Sequence, residues 1–130
     1  MTTAAPTFKK QERIVSNKLI ETLFEKGDSQ SLAAFPIRSV YAMQPYSGKG
    51  APVQILISVP KKRFKHAVDR NRIKRQIREA YRKNKTIVTD AVPEGKQLLI
   101  AFIWLSDRHF RTDEVEKRIV SLLRRMTERL

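Results

Sequence analysis

Residues 61–85 read KKRFKHAVDRNRIKRQIREAYRKNK, and this block constrains the chain more than any other stretch. It holds twelve Lys or Arg against two acids, Asp69 and Glu79, so 25 residues carry +10 of the chain's +14. Like charges at that density repel. A helix carrying them folds only if one stripe is apolar and buried while the rest faces water or a polyanion. The block meets that condition. At about 100° per residue, Ile73, Ile77, Ala80 and Tyr81 share one face at spacing i, i+4, i+7, i+8. Asn71, Arg75, Arg78 and Arg82 fall on the opposite face, flanked by Lys74. The spacing predicts a helix over Ala67–Asn84 whose apolar stripe covers a sheet.

The remaining segments supply that sheet. Residues 16–25 read as a first helix, with Ser16 as N-cap, a stripe of Leu19, Ile20, Leu23 and Phe24, and Gly27 as the stop. Phe35, Ile37, Ser39, Tyr41 and Met43 alternate along a strand over residues 35–43. Residues 44–52 hold two Pro and two Gly and make a loop. Val53, Ile55, Ile57 and Val59 alternate along a second strand, with Leu56 on its other face. Residues 86–96, with Pro93 and Gly95, form a connection. Residues 97–105 are apolar on both faces, as in a central strand. A last helix spans residues 112–129. Thr112 is its expected N-cap, Asp113 and Glu114 suit its positive end, and Arg124, Arg125 and Arg129 suit its negative end. Val115, Ile119, Leu122, Leu123 and Met126 are its apolar stripe. The order is helix, strand, strand, helix, strand, helix, with room for another short strand between residues 29 and 52. This predicts a single α+β domain over residues 1–130, with residues 1–7 as a frayed tail.

Composition narrows the partners. A pI near 10.6 points to nucleic acid or an anionic membrane surface. A membrane-surface helix would expose Trp, Phe or Leu on its apolar face, but here that face is needed by the sheet. No apolar run approaches the ~20 residues of a membrane span. The N-terminus lacks a charged-then-apolar export pattern, and the absence of cysteine fits a reducing cytosol, so a cytoplasmic location is expected. His66 and His109, with no cysteine, make a poor metal site, and none is expected on the protein. No Gly-rich phosphate loop, paired catalytic carboxylates or Ser-His-Asp pattern is present.

Arg presents a planar fork of donors that grips a phosphate through two hydrogen bonds, and Asn suits a base edge or a 2′-hydroxyl. The predicted RNA-binding residues are Lys61, Lys62, Arg63 and Lys65 on the loop, with Arg70, Asn71, Arg72, Lys74, Arg75, Arg78 and Arg82 on the helix. The competing reading is a solvated helix face, but such faces mix signs, and only Glu79 offsets these bases. Phe35, Tyr41, Phe64 and Phe102 could each stack on a base. Core packing is the commoner fate for all but Phe64, which sits among charges. Trp104 reads as core.

The run Arg70-Asn71-Arg72-Ile73-Lys74-Arg75-Gln76-Ile77-Arg78-Glu79 closely resembles the RNR signature of the bacterial ribonuclease P protein component. Ile57-Ser58-Val59-Pro60-Lys61-Lys62 and Ala67-Val68 are similar to that family's lead into the signature, and residues 8–14 to its basic N-terminal segment. Leu19, Ile20, Leu23, Phe24 and Gly27 match its first helix. Ile20 stands where the family usually has an aromatic, and Pro60 where it has a small residue. The resemblance implies an αβββαβα two-layer sandwich with a left-handed βαβ crossover (ribosomal protein S5 domain 2-like). It implies a protein subunit without catalytic residues of its own, paired one to one with a catalytic RNA. The assembly removes the 5′ leader of precursor tRNA, using Mg²⁺ held chiefly by the RNA. The leader is expected in a cleft between the first helix and the sheet, with Ile20, Phe24 and Tyr41 as its candidate contacts. The alternative is a non-catalytic RNA-binding protein of ribosomal type. A self-sufficient nuclease would need an acid–base or metal constellation that the sequence does not display.

Overall fold

The computed structural model describes residues 12–13, 23–24, 29–46, 48 and 50–130. Its centre is a four-stranded sheet of β1 (Gln30–Ala34), β2 (Ile37–Pro45), β3 (Val53–Ser58) and β4 (Lys96–Trp104), in the order β1-β2-β4-β3. β1 and β2 form an antiparallel pair, β2 and β4 are antiparallel, and β3 and β4 are parallel. A parallel pair needs a long crossover. Here it contains α1 (Ala67–Asn84) and the single turn α2 (Thr86–Thr89), and α3 (Thr112–Thr127) follows β4. Arg13 bridges to Ile55 on the outer side of β3.

The sheet separates two apolar layers. Ile37, Tyr41, Ile55, Leu98, Ile100, Phe102 and Trp104 point to the face under the helices. They meet Ile73, Ile77 and Tyr81 from α1 and Val115, Ile119, Leu122, Leu123 and Met126 from α3. Val40, Ala42, Leu99 and Ala101 point the other way and pack with Leu23. β4 is buried on both faces along most of its length, as its unbroken apolar run requires. Each fully buried Leu, Ile or Phe contributes roughly 1.5–3 kcal/mol from water exclusion.

The expected order of elements is present, with differences at three places. The strand placed at residues 35–43 is β2, shifted to Ile37–Pro45, because Phe35 and Pro36 form the turn that pairs it with β1. Phe35 sits at its tip, 58% exposed, with its ring edge-on to Phe110 at 6.2 Å. β1 is the additional short strand for which residues 29–52 left room. Its QSLAA sequence buries only Leu32, so it lacked a periodic signal. Thr112 is the first helical residue of α3 and not its cap. That position belongs to Arg111, whose N–H reaches the Glu114 carboxylate at 3.4 Å. Within the predicted first helix, Leu23 and Phe24 are helical. Its other residues, Ile20 among them, and the predicted tail at residues 1–7 lie outside the described residues.

Candidate nucleic-acid interface

α1 turns its two predicted faces in opposite directions. Ile73, Ile77, Ala80 and Tyr81 are buried, while Asn71, Arg72, Arg75 and Arg78 are exposed and Lys74 is half-buried. Burial pushes the Tyr81 hydroxyl well above its ordinary range, with a smaller contribution from the Glu12 charge, so it stays neutral. Arg72, Arg75 and Arg78 have no acidic partner among the described residues. Arg82 does: its Nε donates to Glu79 at 2.9 Å. That hydrogen bond holds the Glu79 carboxyl below its ordinary value and raises Arg82. The stripe read from the sequence as three guanidiniums and one amide therefore divides: Arg82 is paired with Glu79, while Arg75 and Arg78 have no acidic partner among the described residues.

A cavity of about 320 Å³ lies along this face, lined by Arg13, Arg75, Arg78, Glu79 and Arg82. Four guanidiniums thus converge from two segments far apart in sequence. Arg13 was not among the predicted binding residues. Its contribution depends on pairing beside β3, which local sequence does not signal.

The basic loop before α1 is more organised than its composition suggests. Lys61, Lys62, Lys65 and His66 are exposed. Arg63 is half-buried and pairs with Asp107 at 3.4 Å. The Arg70 guanidinium donates to the carbonyls of Phe64 and Lys65, each at 2.9 Å. The first arginine of the signature is thus spent inside the protein, shaping the loop that presents its neighbours. Phe64, expected among the exposed charges, is half-buried against His109. Phe102 and Trp104 are core residues. Among the described residues no group of three His, Cys, Asp or Glu is placed to hold a metal ion.

The second candidate surface is the sheet face opposite α1 and α3. Leu23 anchors there, and Phe24 beside it is 49% exposed. Arg38 shares that face, held by donation from its Nε to Ser31 Oγ at 3.0 Å. It was not among the predicted residues because alternation along a strand does not say which face the helices leave uncovered. Tyr41 does not share this surface, contrary to the expectation that grouped it with Phe24. It points to the helix-covered side, is buried, and donates its hydroxyl to Gln30 Oε1 at 3.0 Å. Alternation along a strand sends residues 40 and 41 to opposite faces, and the register with β4 decides which face each takes.

The family model described as Ribonuclease P matches residues 8–127. The chain is 41% identical over 117 residues to the ribonuclease P protein component of Porphyromonas gingivalis, covering 86% of this chain and 83% of the relative. The corresponding protein of Chlorobium phaeobacteroides is 32% identical over 124 residues, covering 90% and 85%. Among solved structures, the fold is similar to the Staphylococcus aureus RNase P protein, with a TM-score of 0.64, 21% identity and coverage of 88% and 94%. It is also similar to the Thermotoga maritima RNase P protein, with a TM-score of 0.59, 22% identity and coverage of 88% and 96%.

Proposed function

The chain belongs to the ribonuclease P protein family, and from that premise we propose that it is the protein subunit of a ribonucleoprotein that removes the 5′ leader of precursor tRNA. The observation that carries the reading is the exposed row of Asn71, Arg72, Arg75 and Arg78 on a helix whose other side is locked into the core. Such a rigid cationic face suits the backbone of a folded RNA, because the guanidiniums are pre-positioned and each can grip one phosphate. The sheet face carrying Phe24 and Arg38 suits an unpaired strand. An exposed aromatic can stack on a base, and a guanidinium on the same face can hold a phosphate of the strand.

In this reading the RNA subunit carries the chemistry. Mg²⁺, expected to be held chiefly by the RNA, would supply activation of the attacking water and stabilisation of the leaving oxygen, and no residue of this chain is assigned to hold it. The protein neutralises backbone charge, so that RNA and substrate approach at lower magnesium concentration, and its second face holds the leader.

Reconstitution tests the proposal. The protein alone should not cleave precursor tRNA. Added to the ribonuclease P RNA, it should lower the Mg²⁺ needed and tighten substrate binding. Site-specific cleavage by RNA-free protein, or no effect on the RNA's activity, would overturn it. The latter result would favour an RNA-binding protein of ribosomal type.

A further inference from the structure

The loop between β4 and α3, residues 105–111, contains none of the predicted RNA contacts, yet it touches the basic loop and α1 at four points. Arg63 pairs with Asp107 at 3.4 Å. The Phe64 and His109 rings lie 4.7 Å apart between centroids. His109 Nε2 lies 3.0 Å from Asp69 Oδ1 in the first turn of α1. The buried Gln76 amide donates to the Phe110 carbonyl at 3.0 Å and to Thr112 Oγ1, the first residue of α3, at 3.2 Å. From the other side, Arg70 ties down the Phe64 and Lys65 carbonyls. The His109 ring thus sits between Phe64 of the basic loop and Asp69 of the signature helix, joining two parts of the interface.

We propose that His109 is a positioning residue for RNA binding, setting the basic loop of residues 61–66 against α1 without touching the RNA itself. The inference rests on the RNA-binding reading above. A chain held in its bound shape loses less entropy on binding, so contacts behind an interface raise affinity without adding a phosphate contact. His109 also supplies what the neighbouring Arg63–Asp107 pair cannot. Asp107 is largely exposed, and such pairs order a loop weakly.

The test measures binding of the ribonuclease P RNA to the full-length protein across a salt series, with thermal melts of each variant. His109→Ala should bind about five- to tenfold more weakly at fixed salt, as removal of a coupled hydrogen-bonded contact implies. The slope of log K against log salt should stay unchanged. His109→Gln, which keeps a side-chain N–H for Asp69, should recover most of the loss. Asp69→Ala should also weaken binding, although removing an acid beside a cationic patch would by charge alone tighten it. Wild-type affinity in His109→Ala, tighter binding by Asp69→Ala, or a slope reduced by about one, the mark of a lost phosphate contact, would each overturn the inference. Should His109→Ala fail to fold, Asp69→Ala decides the matter by its sign. If the wild-type protein does not bind the RNA, the functional reading falls and this inference with it. If it binds and the variants match it, this inference alone falls.

Discussion

Arg70 and Arg75 lie on the same helix and point into different surroundings. Arg70 donates to two loop carbonyls, whereas Arg75 is exposed and lines the arginine-rich cavity. Their alanine variants should separate accordingly. Arg75→Ala should cost about 1–3 kcal/mol in RNA affinity and reduce the salt slope by about one, with the melting temperature unchanged. Arg70→Ala should lose affinity and thermal stability together, because the loop carbonyls lose their donor. A filter-binding salt series with melts of both variants checks this. Glu79 gives a prediction of opposite sign. Glu79→Gln removes the one acid in the outward row and so raises the positive charge of that face, and RNA binding should tighten. Glu79 also titrates in a predictable direction. Its folded pKa lies below the ordinary 4.5 because Arg82 donates to the charged form. Its contribution to stability is therefore present above about pH 4.5 and is lost as pH falls through the folded value. In the Gln variant that component of acid destabilisation should be missing, as pH-dependent urea melts would detect.

At the scale of elements, α1 joins a core stripe to an interface stripe, and the two should fail independently. Ile77 is fully buried between the sheet and α3. Ile77→Ala should cost about 2–5 kcal/mol of folding stability, with its spread set by how far the site collapses. Urea unfolding measures this, and RNA affinity under conditions where the variant remains folded should be nearly unchanged. If α1 and its loop together neutralise about six phosphates, affinity should fall roughly 10³-fold between 50 and 200 mM salt. A flat salt profile would remove this face as the interface. The bounds of α1 and the central place of β4 were legible from periodicity alone, because a helix stripe and a doubly apolar strand each leave a local pattern. β1 was not. Its pairing with β2, and not its composition, makes QSLAA a strand. On its far side Arg125 of α3 donates to the Ala33 carbonyl at 2.8 Å.

For the whole molecule, the two proposed RNA surfaces lie on opposite sides of the sheet: α1 with its loop on one, and Phe24 with Arg38 on the other. Phe24→Ala should weaken binding of precursor tRNA with a leader several nucleotides long by about 1–3 kcal/mol, the worth of one base stack. Binding of mature tRNA should be unchanged. Equal losses with both substrates would place Phe24 outside the leader contact. Leu23, its buried neighbour, is a control whose alanine variant should act through stability. The amino-acid sequence by itself determined the α+β class, the span and facing of the cationic helix, and its fitness for a polyanion. These follow from spacing and charge, which act over a few residues. Only the tertiary structure decided which cations are free. Arg70 is committed to its loop, Arg82 to Glu79 and Arg63 to Asp107, while Arg13 is brought in from a distant segment. Tyr41 was likewise moved to the covered face by the β2–β4 register. The physical reason is range: a guanidinium's partner is set by which backbone carbonyl or carboxylate the fold brings within about 3 Å, and that partner can be dozens of residues away.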